Sequence, residues 1–390
     1  MISVAEALSL LFQLTPEMAE EQVPLSRAAG RVLTRPVVAQ RNQPPFAAAS
    51  MDGYALKGVE ADPEAMFKVI GASRAGERFE GTVGPGQAVR IFTGAPVPVG
   101  ADRVIMQEEV EVNGDLITLA RHLSPAPHLR PMGSDFAIGA EIAAPRRLTP
   151  RDLALAAAMN AARLTVARAP DVAIIATGDE LVMPGETPGP DQIIASNGFG
   201  LKAMFEAEGA AARLLPIAAD NPDSLRTAFE LAEGADLIVT IGGASVGDHD
   251  LVAPVAESLG MEMSFHKIAM RPGKPLMAGR IGQSMLIGLP GNPVSSMVCG
   301  HIFILPVLRA MQGLPAKPAP RETAILTTDL LANGPREHYM RATIREGEIT
   351  PMPRQDSAFL SVLRDANALL VHPANSPAIS AGQRVEYLEL

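Results

Sequence analysis

Hydrophobic and polar positions change their spacing three times along the chain, and each change marks a different kind of structure. Residues 4–14 put apolar side chains at helical spacing behind Ser3 and Glu6, a pairing that predicts a capping box opening an amphipathic helix. The chain then turns irregular up to the turn-rich Gln40-Arg-Asn-Gln-Pro-Pro45. From about 46 to 135 short Val- and Ile-containing runs alternate with glycine and proline, the texture of a β-rich module. Within it Asn113-Gly114, between the runs 104–112 and 116–120, predicts a hairpin. Thr149, Pro150 and Asp152 then open an alanine-rich helix reaching to about 162, expected to link modules.

Beyond residue 170 fully apolar runs alternate with helical spacing. Strands are predicted at 172–176, 214–217, 237–241, 275–279 and 284–289, with helices at 200–208, 224–232 and 294–311. That alternation predicts a parallel sheet covered by helices on both faces, a doubly wound α/β module. Pro315, Pro318 and Pro320 mark a linker, and residues 321–390 return to short strands with turns at Asn333-Gly334 and Pro351 to Pro353, suggesting a small β-barrel or sandwich.

With 390 residues the length favours two to four domains. A net charge of -10 and a pI near 5.3 argue against a nucleic-acid partner, so any anion site has to be built locally. Cys299 is the single cysteine, which excludes an intrachain disulfide and a Cys-rich metal site; its neighbours suggest a buried thiol. The N-terminus lacks the basic start of a signal peptide, and Pro290, Pro293 and Pro306 interrupt the apolar stretch after Leu286. A cytoplasmic protein with no membrane partner is expected.

Three glycine- and proline-rich loops follow β-like runs and together suggest an anion-binding cleft at the ends of neighbouring strands. The first is Gly242-Gly243 to Asp250, the second Arg271-Pro-Gly-Lys-Pro275, and the third Gly288-Leu-Pro-Gly-Asn-Pro-Val-Ser295. Neither the dinucleotide fingerprint nor a P-loop is present. Lys267, Arg271 and Lys274 put three cations within eight residues, and the prolines fix the loop, favouring an oxyanion or phosphate pocket over a merely solvated basic face. Gly291 and Asn292 precede a helix whose N-terminal N–H groups, with Ser295 and Ser296, offer donors to an anion; a plain strand-to-helix turn would look the same. Thr177-Gly-Asp-Glu180 follows the first parallel strand, where Glu180 either holds Mg²⁺, orients a hydroxyl, or is a solvated turn acid. Asp236 and Asp250 bracket the glycine loop and are placed for a metal or polar ligand, although Asp236 equally well opens the strand; His249 is assigned no role.

Ser50-Met-Asp-Gly-Tyr-Ala55, Thr93-Gly-Ala-Pro-Val-Pro98, Ala176-Thr-Gly-Asp-Glu-Leu181, Gly242-Gly-Ala-Ser-Val-Gly247, Arg271-Pro-Gly-Lys-Pro275 and Leu289-Pro-Gly-Asn-Pro-Val-Ser295 closely resemble, in order, the motifs of the MoeA family of molybdopterin molybdenumtransferases. Six weak motifs in register make accidental agreement improbable. The resemblance implies an α/β multidomain fold of four modules: a discontinuous helical connector (1–45 and 136–169), a β-rich module (46–135), a molybdopterin-binding α/β module (170–317) and a C-terminal β-barrel (318–390). It also implies a homodimer whose cleft combines the α/β and C-terminal modules of one subunit with the β-rich module of the other. The implied reaction inserts molybdate into adenylylated molybdopterin and releases AMP with Mg²⁺ present. A molybdopterin adenylyltransferase and downstream molybdoenzyme maturation proteins are possible partners.

By the same similarity Asp52, Thr93, Asp135, Glu180 and Lys274 are expected to serve turnover. Ser196, Asn197, Gly242, Gly243, Ser245, Lys267, Arg271, Pro275, Gly291, Asn292, Ser295, Arg341 and Ser357 are expected to bind substrates, with Arg341 aimed at the oxyanion. Glu180, Asp236 and Asp250 are the implied Mg²⁺ ligands. Two positions depart from the family pattern: Arg271 stands where lysine is usual, keeping the charge and adding a guanidinium fork, and Ala244 where valine is frequent. Adenylylation of molybdopterin and a scaffold role are the rival readings; the flanking β modules argue against the first, and no fused domain or long linker supports the second.

Overall fold

The computed structural model describes residues 1–243 and 251–390. Its centre is a six-stranded sheet in the order Ala211–Leu214, Asp171–Ala176, Leu237–Ile241, Ser284–Leu289, Met277–Ile281, Glu262–His266. The first three pairings are parallel and the last two antiparallel. All five residues of Leu237–Ile241 are buried, as a strand covered on both faces requires. Alternate residues divide between two cores: Val172, Ile174, Leu237, Val239 and Ile241 face one, Ala173, Ile175 and Ile238 the other. Register places Ala176, Ile241 and Leu289 in one row across the sheet. The loops that follow these three residues therefore leave from one edge.

Several expected boundaries shift for local reasons. The strand expected at 214–217 is Ala211–Leu214, because Pro216 has no N–H to continue the ladder. The helix expected at 200–208 begins earlier and spans Asn197–Ala207, so Asn197 sits at its first turn. Prolines do not interrupt the apolar stretch near 300. One continuous helix, Pro293–Met311, runs through Pro306 by way of a π turn over Gly300–Ile304, in which the Leu305 N–H reaches back to the Gly300 carbonyl. It is long and apolar enough to cross a membrane, but Val294, Val298, Ile302, Phe303 and Val307 bury it in the α/β core.

The C-terminal strands Glu322–Leu326, Glu337–Arg345, Glu348–Pro351, Ala368–His372 and Arg384–Glu389 close into a five-stranded barrel, since Glu337–Arg345 pairs with both Glu348–Pro351 and Ala368–His372. Ala324, Leu326, Ala342, Ile349, Leu370 and Val385 fill it. Tyr339, Leu369, Val371 and Leu388 face outward and join the α/β core. A two-residue strand from the α/β module, Met270–Arg271, adds in parallel to the barrel strand, with Arg271 opposite His338. Asn333 opens no hairpin; its amide ties the loop to the carbonyls of Arg336, His372 and Pro373.

The connector segments expected to be helical carry two α-helices, Val4–Leu14 and Pro150–Ala158, the second with the expected Thr149–Asp152 capping box. Their remainder is a four-stranded sheet in which Glu20–Pro24 pairs with Arg163–Ala167, and Val23, Leu164 and Val166 point into a common core. The first helix, Val4–Leu14, has the Ser3–Glu6 capping box but packs through Val4, Ala7, Leu8 and Leu11 into the α/β core. In the β-rich module the expected hairpin joins Val110–Asn113 to Leu116–Leu119 across Gly114 and Asp115. The run before it breaks at Gln107–Glu109 into two strands. Gly53 is squeezed there: a Cβ would stand 1.9 Å from the Ile105 carbonyl oxygen. Gly53→Ala is expected to cost on the order of 3 kcal/mol or more of stability, measured by calorimetry, because backbone rather than a flexible side chain has to move.

Candidate functional site

The row of strand ends builds one wall of a cleft. Thr177 donates its N–H to the Ile241 carbonyl at 3.0 Å and is buried. Gly242 follows at φ +96°, with its Cα so close to Thr177 that a Cβ would stand 2.8 Å from both Thr177 oxygens. Only glycine fits this crossing. Gly291 lies against Gly242, and Asn197 donates from Nδ2 to the Gly291 carbonyl at 2.7 Å, while Ser196 donates to Asn197 Oδ1 at 3.3 Å. Ser196, Asn197, Gly242 and Gly291 thus come together as expected; Gly243 continues the same turn. Ser245 and Asp250, with the rest of 244–250, lie outside the described residues.

Glu180 is exposed at the mouth of this wall, and among the described residues its carboxylate makes no hydrogen bond or ion pair. Its neighbour Asp179 is committed to the Asp220 N–H at 3.0 Å. Asp236 requires a correction. It precedes Leu237 and therefore sits at the opposite end of a five-residue strand, about 17 Å from the crevice. Its Oδ1 is paired with Arg168 at 2.7 Å and its Oδ2 accepts the Asp171 N–H at 2.8 Å. Asp236 pins the sheet to the connector side and is no metal ligand of the cleft. Among the described residues no group of three or more His, Cys, Asp or Glu is disposed to hold a metal.

The opposite wall joins the helix start to the barrel. Asn292 donates from Nδ2 to the Ser357 hydroxyl oxygen at 2.9 Å, and the Val294 N–H donates to the Ser357 carbonyl at 3.0 Å. That helix terminus is therefore partly committed to bracing Ser357, and Ser295 is buried in its first turn. Next to Ser357, the Asp356 carbonyl accepts from Arg341 Nη2 at 3.0 Å, and Gln355 clamps the Arg341 backbone through both its N–H and its carbonyl. Arg341 is 0 % exposed, and its Nε and Nη1 are buried without a partner. Burial lowers its pKa, yet a guanidinium stays protonated in proteins, so the N–H donors on two nitrogens of a buried cation lack an acceptor.

Arg271 completes this wall. Its Nη2 donates to His338 Nδ1 at 2.7 Å. Lys274 is exposed three residues on, while Pro272 and Gly273 are buried, Gly273 against Cys299 and Met270. Burial pushes the Cys299 thiol up, as expected of a packing cysteine. Lys267 and Pro275 lie at the base of the same loop, where the Lys267 N–H donates to the Leu276 carbonyl; no described hydrogen bond carries either side chain into the cleft. His338 and His372 escape sequence reasoning altogether. They are 4 % and 3 % exposed and directly opposite each other in the barrel ladder. Burial, then Arg271 and Arg341, push His338 down to about 3, and burial likewise lowers His372. Both imidazoles are neutral. No local signal announces this pair, since 34 residues separate its members.

Asp52, Thr93 and Asp135 stand apart. Asp52 Oδ1 accepts the Thr93 N–H at 2.7 Å and its hydroxyl at 2.8 Å, and these two donors, with Arg90 nearby, hold the carboxyl below the usual range. Arg90 is fixed by the Gly53 carbonyl, Gln107 and the Tyr54 and Phe92 rings. Asp135 is exposed, and its N–H donates to the Gln43 carbonyl at 2.9 Å. Among the described residues, the hydrogen bonds around Asp52 and Thr93 and the two cores beside them stay inside the β-rich module. Because protonation of Asp52 breaks both Thr93 contacts, its carboxylate persists below the ordinary carboxylate midpoint near pH ~4. Thr93→Val removes the hydroxyl donor and is expected to raise that midpoint in a carboxyl-carbon NMR titration; an unchanged midpoint contradicts the assignment.

Known proteins match this chain throughout its length. Residues 2–160 fit the MoeA N-terminal region (domains I and II), 173–310 a probable molybdopterin binding domain, and 323–390 the MoeA C-terminal region (domain IV). A molybdopterin molybdenumtransferase of Nostoc sp. is 33% identical over 410 aligned positions, covering 100% of this chain and 94% of the relative. That of Haemophilus influenzae is 33% identical over 99% of this chain and 98% of its own. The crystal structure of a molybdopterin biosynthesis MoeA protein from Pyrococcus horikosii superposes with a TM-score of 0.86 at 29% identity, covering 100% of this chain and 99% of that one.

Proposed function

The chain belongs to the MoeA family, and on that premise we propose that it is a molybdopterin molybdenumtransferase, inserting molybdate into adenylylated molybdopterin and releasing AMP late in molybdenum cofactor biosynthesis. One observation carries the reading: the fully buried Arg341 has two unpartnered nitrogens and ends a hydrogen-bonded chain that starts at Asn197 and passes through Gly291, Asn292, Ser357 and Asp356. A buried guanidinium with free donors is costly until a tetrahedral dianion takes them. Molybdate is such an anion.

In this reading Arg341, Arg271 and Lys274 supply the positive charge around molybdate, and the Ser357 hydroxyl, whose oxygen already accepts from Asn292, donates its own proton to an oxyanion oxygen. Ser196, Asn197 and the Gly242 and Gly291 backbones hold the pterin and phosphate portion beside it. The Mo–S bonds replace Mo–O bonds of molybdate, the displaced oxide leaving with the thiol protons as water, and water cleaves the phosphoanhydride to release AMP. Mg²⁺ binds through one or two carboxylates together with substrate phosphates and water, and the exposed Glu180 carboxylate at the mouth of the cleft, without a partner among the described residues, suits that demand. Glu180 would hold the ion, which would neutralise the anhydride as AMP departs.

Asp52, Thr93 and Asp135 act in the partner subunit's cleft of a homodimer; the support is that, among the described residues, the side-chain contacts of Asp52 and Thr93 stay within the β-rich module of their own chain, with Asp135 beside that module on the Gln43 carbonyl of the connector. The protein works in the cytoplasm, receiving the adenylylated pterin from a molybdopterin adenylyltransferase and passing its product to molybdoenzyme maturation proteins. The test is AMP release by purified protein supplied with adenylylated molybdopterin. Release is expected only with molybdate and to fall on chelation of Mg²⁺. Molybdate-independent release indicates a hydrolase and overturns the reading.

A further inference from the structure

Arg271 is held by an unusual partner. An exposed arginine ordinarily meets a carboxylate, and a carboxylate beside it would compensate the charge that an oxyanion has to find. Here the acceptor is His338 Nδ1, 2.7 Å from Arg271 Nη2. Arginine only donates, so Nδ1 carries no proton and the imidazole is the Nε2–H tautomer. The contact is built by topology rather than chance: Met270–Arg271 pairs in parallel with Glu337–Arg345, and the Glu337 N–H donates to the Ala269 carbonyl at 3.0 Å. Arg341, with its unpartnered nitrogens, lies three residues along the same strand on the alternate face, and both arginines are near enough to act electrostatically on His338. His338 is 4 % exposed, so the clamp is fixed in the barrel wall while the guanidinium it grips stays at the surface of the cleft.

We propose that His338 is a positioning residue for the oxyanion, a neutral acceptor that orients the Arg271 guanidinium toward the anion held by Arg341 without cancelling its charge. This rests on the molybdate reading of the cleft. It also accounts for the use of arginine at position 271: one fork nitrogen is spent on the histidine and the others remain for the anion, a division that a lysine ammonium makes without directional control.

The test compares His338→Leu, which fills the space without an acceptor, with His338→Asn, whose Oδ1 stands near the place of Nδ1. Full-length proteins are examined by equilibrium dialysis with molybdate, by KM for molybdate and for adenylylated molybdopterin, and by thermal melting. His338→Leu is expected to weaken molybdate binding and raise its KM about tenfold, the scale of one hydrogen bond to a charged group. Its KM for the adenylylated pterin should stay within about twofold of wild type. His338→Asn should restore molybdate binding to within about threefold. A leucine variant that binds molybdate like wild type overturns the proposal, as does an asparagine variant equally weak at an unchanged melting temperature. If instead the wild type binds no molybdate, the reading of the cleft falls first and His338 with it.

Discussion

Replacing Arg341 with methionine is expected to lower molybdate-dependent turnover by a factor on the order of 10² to 10³, while stability stays the same or rises. Both halves follow from its surroundings. The side chain is wholly buried, Nη2 alone has a described partner, and that partner is the Asp356 carbonyl. A buried guanidinium that leaves two of its nitrogens unmatched contributes little to folding, so an apolar group of similar length removes a desolvation penalty along with the charge. For the anion the same change removes the most deeply placed donor. Steady-state kinetics and melting curves measured on one preparation decide it. A large fall in melting temperature accompanying the loss of activity would make Arg341 structural.

Mixing two inactive variants is expected to restore activity. Asp52→Ala and Arg341→Met each damage a different wall of the proposed shared cleft, one in the β-rich module and one in the barrel. If each cleft draws Asp52 from one subunit and Arg341 from the other, a heterodimer carries one cleft with both defects and one with neither. Random re-association makes half the dimers mixed, so activity should return to roughly a quarter of wild type, provided the two variants are each severely impaired as single-donor or single-carboxylate losses at such sites are. The measurement is AMP release after the two proteins are co-expressed or exchanged. No recovery from dimers shown to be mixed would place both residues in a cleft made by one chain.

Much of the cleft was legible because glycine and proline punctuate it. The apolar runs ending at Ala176, Ile241 and Leu289 announce buried parallel strands, and parallel strands in register put their following loops on one edge, where Asn197, Gly242 and Gly291 indeed meet. Asp236 was misplaced because nearness in sequence to the glycine loop is not nearness in space when a strand lies between. Pro216 ends a strand that apolar residues alone would continue, whereas the helix expected at 294–311 runs through Pro306 as a whole, with a π turn just before the proline. The histidine pair was invisible for another reason. His338 and His372 meet through antiparallel register within a barrel, and Arg271 reaches them through a two-residue strand borrowed from another module. Such pairings depend on closure of the whole barrel, which no window of a few residues encodes.

The proposed cleft, joining Arg341, Arg271 and Ser357 to the strand-end loops, is expected to transfer molybdenum to the pterin. The most direct measurement is the molybdenum retained in the pterin product for each AMP released, in a single turnover of purified protein with adenylylated molybdopterin, Mg²⁺ and molybdate. One molybdenum per AMP is the expected result, and it should vanish together with AMP release in Arg341→Met. AMP released in full from the wild type with no molybdenum on the pterin would contradict the account.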